Sequence, residues 1–206
     1  MQNDLDIAMG FLVKKEYDSA YQIIQKKLSS SLKRQDFQQA ATCNLLLGHA
    51  YWTEKKLSKA LKAFQNGETL LPSDPDQKVS TAYFYLIGLG KKRMALQKAE
   101  EVLRLDSKKG FATHRAFQLK GLLHFDRKEF EKAVEMLLDS TKVRHEKSVL
   151  TSGYEMELVK KLVASGNYLN ICKQYLELAL QVAKKGKGEQ KQIKTLLANI
   201  KGQKGS

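Results

Sequence analysis

Two glutamate pairs, four histidines, two cysteines and one glycine-flanked lysine are the residues of this chain that could do chemistry. Glu100-Glu101 and the pair Glu129 and Glu131 sit among lysines on helical faces, where solvated ion pairs explain them better than general acid–base work. Gly186-Lys187-Gly188 follows no strand and lacks the spacing of a phosphate-binding loop, so it reads as flexible tail. His49, His114, His124 and His145 form neither an H-x3-H pair on one helix face nor an H-E-x-x-H motif, and no zinc site is expected. Cys43 and Cys172 are far apart and outside any C-x-x-C spacing, which suits small packing residues in a reducing compartment. No nucleophile stands beside a base. The expectation is a chain that is not an enzyme, with no metal and no cofactor.

The elements carrying these residues are helices. The 206 residues are 42% hydrophobic, enough to bury a core, and contain only two prolines among abundant Lys, Leu, Ala, Glu and Gln. The apolar run from Ile7 to Val13 is short and has no basic flank, so it does not read as a signal peptide. No stretch approaches the roughly 20 apolar residues that a membrane span needs, and the expected compartment is the cytoplasm. The net charge of +14 raises nucleic acid as a possible partner. However, the segment from Lys184 to Ser206 holds seven lysines against one glutamate, and the remaining excess sits in doublets such as Lys14-Lys15, Lys55-Lys56 and Lys91-Lys92-Arg93. Lysines near helix C-termini complement the helix dipole, so a solvated surface accounts for them and nucleic acid is not favoured.

Periodicity organises the rest. Leu47, Gly48, Tyr51, Ala60, Phe64 and Pro72 match, position for position, a paired-helix pattern of about 34 residues, W-x2-L-G-x2-Y, then A-x3-F, then P. Its second half recurs as Lys14-Lys-Glu-Tyr17-Asp-Ser-Ala20, Glu54-Lys-Lys-Leu57-Ser-Lys-Ala60 and Arg127-Lys-Glu-Phe130-Glu-Lys-Ala133. The large residue anchors a second helix, and the alanine lets the two helices cross closely. These residues resemble the tetratricopeptide repeat. Extending the match gives units beginning near residues 1, 41, 76, 114 and 152, with spacings above 34 taken up by longer helices or turns. Between two units, Asp74 is placed to cap a helix and Pro75 to occupy its first position. Gly48 and Gly121 should lie where helices cross closely. The division read from the sequence is a repeat domain over 1–183 and a basic tail over 184–206. Within that tail, an amphipathic helix at 192–201 bears the stripe Ile193, Leu196, Leu197 and Ile200, suited to capping the last unit.

The resemblance implies an all-α, right-handed superhelical solenoid of antiparallel helix pairs with a C-terminal capping helix. It also implies that the first helix of each pair lines a concave groove holding a peptide or a partner's helix. Carried onto this sequence, the groove columns give Leu5, Met9 and Leu12, then Leu45, His49 and Trp52, then Ser80, Phe84 and Ile87, then Gln118, Leu122 and Phe125. One subset of the family grips a carboxylate with lysines, asparagines and an arginine; of the corresponding positions here only Arg115 could serve, so that role is not expected. The implied function is a non-catalytic adaptor or scaffold that binds a protein or peptide. The alternatives are a nucleic-acid-associated protein using tail and turn lysines, and a secretion-type chaperone.

Overall fold

A computed structural model of the chain describes residues 4–105, 110–142, 156–182 and 188–203, and among them there are eleven α-helices and no strand. The chain divides into two compact units, Met1–Lys98 and Ala99–Ser206, with the division inside the sixth helix. The first unit holds α1 (Asp4–Val13), α2 (Tyr17–Lys33), α3 (Phe37–Thr53), α4 (Leu57–Leu70), α5 (Pro75–Tyr83) and the start of α6 (Lys92–Leu105). The second holds the end of α6, then α7 (Phe111–Asp126), α8 (Phe130–Thr141), α9 (Glu157–Ala164), α10 (Leu169–Val182) and α11 (Gly188–Gln203). Within the first unit each helix from α1 to α4 packs on the next in the chain. In the second, α7 pairs with α8 and α9 with α10, and the pairs stack through α7 on α9 and α8 on α10. The long spacing between the first two units has its cause in α2 and α3, each 17 residues long.

The helix pairs close where the sequence put small residues. A Cβ added to Gly48 would stand 2.7 Å from the Phe64 ring, which is itself buried, and Ala60 beside it is fully enclosed. At Gly121 an added Cβ would collide with the Leu158 side chain of α9, and would meet the Ala133 carbonyl and Met136 Cβ of α8 at 3.3 Å each. Gly121 thus serves two contacts at once, with its own pair and with the next.

The turns between paired helices repeat one hydrogen-bonded form. After α3, the Lys55 N–H donates to the Trp52 carbonyl at 2.9 Å and the Lys56 N–H to that of Tyr51 at 2.8 Å. Lys15 and Glu16 do the same after α1, and Lys128 and Glu129 after α7. This is the Schellman closure, which needs a left-handed residue and usually recruits glycine. Here Lys15, Lys55 and Lys128 take φ of 63°, 63° and 62°, while the corresponding turn after α9 uses Gly166 at 74°.

The third pair departs from this form. After Tyr83 the helix continues as a π-helical turn, Phe84–Gly88, closed by the Leu89 N–H on the Phe84 carbonyl at 3.1 Å. The Lys91 N–H then reaches back to Tyr85, one residue further than in the other turns, and Gly90 takes the left-handed position with φ 65°. The wider turn absorbs the extra residue that makes the sequence degenerate here. At the other end of the helix Asp74 accepts from the N–H groups of Asp76 and Gln77 at 2.8 and 3.0 Å, and Pro75 is the first helical residue, as their types predict.

The C-terminal helix starts earlier than the stripe predicts, at Gly188, and packs on α10 and α9. Ile193 and Ile200 are buried, and Leu196 and Leu197 half-buried. The expected boundary at 183 falls within 183–187, outside the described residues; in the second unit α11 belongs with the helices it covers. Deleting residues after Lys187 should therefore lower the midpoint of thermal unfolding. Trp52 emission should stay unchanged, since the tryptophan lies in the other unit; a thermal scan with the fluorescence spectrum recorded below the transition checks both.

Candidate functional site

The groove residues read from the sequence separate into two groups once their surroundings are known. In the first unit Trp52 is only 9% exposed and Phe84 is completely buried. The Trp52 ring meets Phe84 edge-on with centroids 5.4 Å apart, Phe84 lies 5.2 Å from Phe64, and Phe64 takes the edge of His49 at 5.2 Å. His49 also stacks on Trp52 at 6.2 Å. Edge-on aromatic contacts of this kind are favourable beyond the area they bury. Trp52 and Phe84, placed in the groove columns by the resemblance, are buried in this cluster, where they join α3 and α4 to the π-helical turn. Leu45 and His49 are half-buried, and Ile87, carried on that turn, is 50% exposed.

In the second unit Arg115, Gln118 and Leu122 are all buried, and only Phe125 keeps a half-exposed ring. The Gln118 amide donates to the Ser140 hydroxyl at 2.8 Å and to the Tyr175 hydroxyl at 3.1 Å, and Ser140 donates to the Leu137 carbonyl at 2.6 Å. His114 Nδ1 lies 2.8 Å from the Ser140 carbonyl. A carbonyl only accepts, so Nδ1 carries the proton. This network ties α7, α8 and α10 through polar groups that meet only when these helices stack. Arg115 lies with its guanidinium 5.4 Å from the Phe111 ring centre, a cation–π contact. Gln118, Leu122 and Arg115, placed in or beside the groove columns by the resemblance, are thus buried among these helices. Phe125 meets Phe130 edge-on at 5.4 Å and carries the Lys161 ammonium 5.6 Å above its ring, with Lys161 also 3.2 Å from Asp126.

Groups with chemical potential are engaged in structure. The carboxylate of Glu129 lies 2.5 Å from His124 Nδ1 across the turn after α7, and that hydrogen bond holds its pKa below the usual carboxylate range. Glu131 accepts from the Tyr168 hydroxyl at 2.6 Å. Cys43 and Cys172 are free and buried, and desolvation pushes both thiols up to about 11, the reverse of what a reactive thiolate needs. Among the described residues no three His, Cys, Asp or Glu side chains gather as metal ligands, and no helix is long and apolar enough to cross a membrane. His145 lies outside the described residues.

Gly88 connects the exposed part of the first unit's surface to its core. A Cβ there would stand 2.7 Å from the buried Phe84 ring and 3.1 Å from Trp52 Nε1. Gly88→Ala should thus destabilise by about 1 kcal/mol or more, overpacking exceeding alanine's gain in helix propensity. It should also shift Trp52 emission; denaturant titration followed by fluorescence measures both.

No family model matches the sequence, and no curated protein matches it. Solved structures do. PilW, described as a widely conserved type IV pilus biogenesis factor, superposes with a TM-score of 0.64 at 16% identity, over 98% of this chain and 88% of its own. TTC0263, a thermophilic tetratricopeptide-repeat protein of Thermus thermophilus, gives 0.66 at 16% identity over 97% of each chain. At such identity the likeness lies in the backbone. Joined to the paired helices, the repeated turns and the glycine crossings, it shows that this chain has the fold of the tetratricopeptide-repeat proteins.

Proposed function

We propose that the protein is a non-catalytic interaction module that holds an apolar or amphipathic helical segment of a partner protein. The observation that carries this reading is Ile87. It is a large aliphatic side chain, half exposed, on a π-helical turn backed by the Trp52, Phe64 and Phe84 cluster. π-helical turns concentrate at functional sites, and an exposed aliphatic residue on such a turn, one end of which is anchored in the core by Phe84, suits a partner's apolar stripe. Leu45 and His49, half-buried on α3, are further contact candidates in the same unit. Burying about 600 Å² of apolar surface would contribute on the order of 15 kcal/mol gross, and ordering losses bring that into the micromolar-to-nanomolar range. The engaged carboxylates and raised thiols support the absence of catalysis in this reading.

The distinguishing experiment is affinity capture from native lysate at low and moderate salt, with the intact chain and with Ile87→Asp. Burial of an apolar helix predicts a retained protein that persists at both salt concentrations and falls at least tenfold with Ile87→Asp, a loss of about 1.4 kcal/mol or more. Retention that collapses between the two salts, is removed by nuclease and ignores Ile87→Asp would instead follow counterion release from phosphates. That outcome would replace this reading with nucleic-acid binding.

A further inference from the structure

The first helix carries exposed aliphatic residues opposite the face it buries. Its inner face buries Leu5 and Ala8 against the first unit's core. On the outer face, at 3.6 residues per turn, Asp6, Ile7, Val13 and Lys14 all lie within about 60° of Gly10. Lys14 remains on the helical spiral, its N–H donating to the Gly10 carbonyl at 3.2 Å. Ile7 is 37% exposed and Val13 is 84% exposed, while a Cβ added to Gly10 would meet nothing within 4 Å. Asp4 reaches Lys27 at 3.6 Å, but among the described residues neither Asp6 nor Lys14 has an ion-pair partner.

We propose that this face pairs antiparallel with the same face of a second copy of the chain, about a twofold axis level with Gly10. The residue order is self-complementary about that point: Ile7 and Val13 lie three positions to either side of Gly10, and Asp6 and Lys14 four. Reversing one helix against the other sets Ile7 at the level of Val13 of the second copy and Asp6 at the level of its Lys14, each contact occurring twice, as an isologous interface requires. Gly10 on both sides lets the axes approach, and the antiparallel arrangement opposes the two helix dipoles favourably. A foreign helix would have no reason to mirror this order of acid, aliphatic, glycine, aliphatic and base. The helix is ten residues long, about 15 Å, so the contact falls short of the 1,200–2,000 Å² typical of permanent assemblies and the dimer is a weak, concentration-dependent one.

Sedimentation equilibrium of the intact chain from low to high micromolar concentration tests this. The weight-average mass should climb from 23.4 kDa towards twice that value. Asp6→Lys sets lysine level with Lys14 twice, and Lys14→Asp sets acid level with Asp6 twice; each should weaken association about tenfold. The double variant, with native net charge, should restore it, and Val13→Lys should abolish it. All three substituted positions are exposed, and circular dichroism verifies that each of the four variants keeps its helical content. A monomer at every concentration would overturn the proposal and leave the face to a different occupant. So would a dimer indifferent to Val13→Lys, or charge reversals that the double variant fails to rescue.

Discussion

The fold rests on the distance at which two paired helices can cross. At Gly48 the missing side chain leaves room for the Phe64 ring, and at Gly121 for Leu158 together with the backbone of α8. Because the Phe64 ring rests on Gly48, it can also reach Phe84 and meet His49 at right angles, so the aromatic cluster of the first unit depends on that glycine. The second unit uses its glycine differently. Gly121 admits a side chain from the next pair, and the polar network of Gln118, Ser140 and Tyr175 then fixes how α8 and α10 stack on α7. Helix pairs of this kind bury little by themselves and gain stability from stacking, so each close crossing bears on its neighbours.

The turns bear the cost of the same geometry. Three of them hold lysine in the left-handed region, at a conformational penalty of about 1 kcal/mol or more each relative to glycine. The two hydrogen bonds of each closure offset part of that penalty, and Tyr21, stacked on Tyr51 with centroids 4.8 Å apart and donating to Glu54, braces the turn after α3. Burial and the bond to Glu54 together push the Tyr21 hydroxyl's pKa up, so the brace persists through neutral and mildly alkaline pH. In the third pair an extra residue is accommodated inside the helix instead, and the resulting π-helical turn presents Ile87.

Much of this architecture could be read from the sequence because it is written in residue size and period. Gly48, Ala60 and Phe64 mark a crossing, Asp74 and Pro75 a helix start, and Ile193, Leu196, Leu197 and Ile200 a docking stripe. The binding surface was less legible, for a physical reason. A residue on the inner column of a repeat can face a ligand or the next helix, and position alone does not distinguish them; Trp52, Phe84, Gln118 and Leu122 are buried inside the protein. The polar network was hidden because Gln118, Ser140 and Tyr175 are brought together only by stacking, although His114 and Gln118 at i and i+4 on one helix were a signal that α7 has a polar inner stripe. Likewise, the sequence shows an irregular third turn but not that a π-helical turn absorbs it.

The central claim is that contact between Gly48 and the Phe64 ring sets the approach of α3 and α4. A double-mutant cycle on Gly48→Ala and Phe64→Leu, followed by denaturant unfolding, tests it most directly. In the native background Gly48→Ala should destabilise by about 1–2 kcal/mol, since overpacking exceeds the helical advantage of alanine. With Phe64→Leu in place the methyl group has room, and the same substitution should become neutral or stabilising, a coupling of about 1–2 kcal/mol. An equal penalty in both backgrounds would contradict the account, because the spacing of the pair would then be set by something other than that contact.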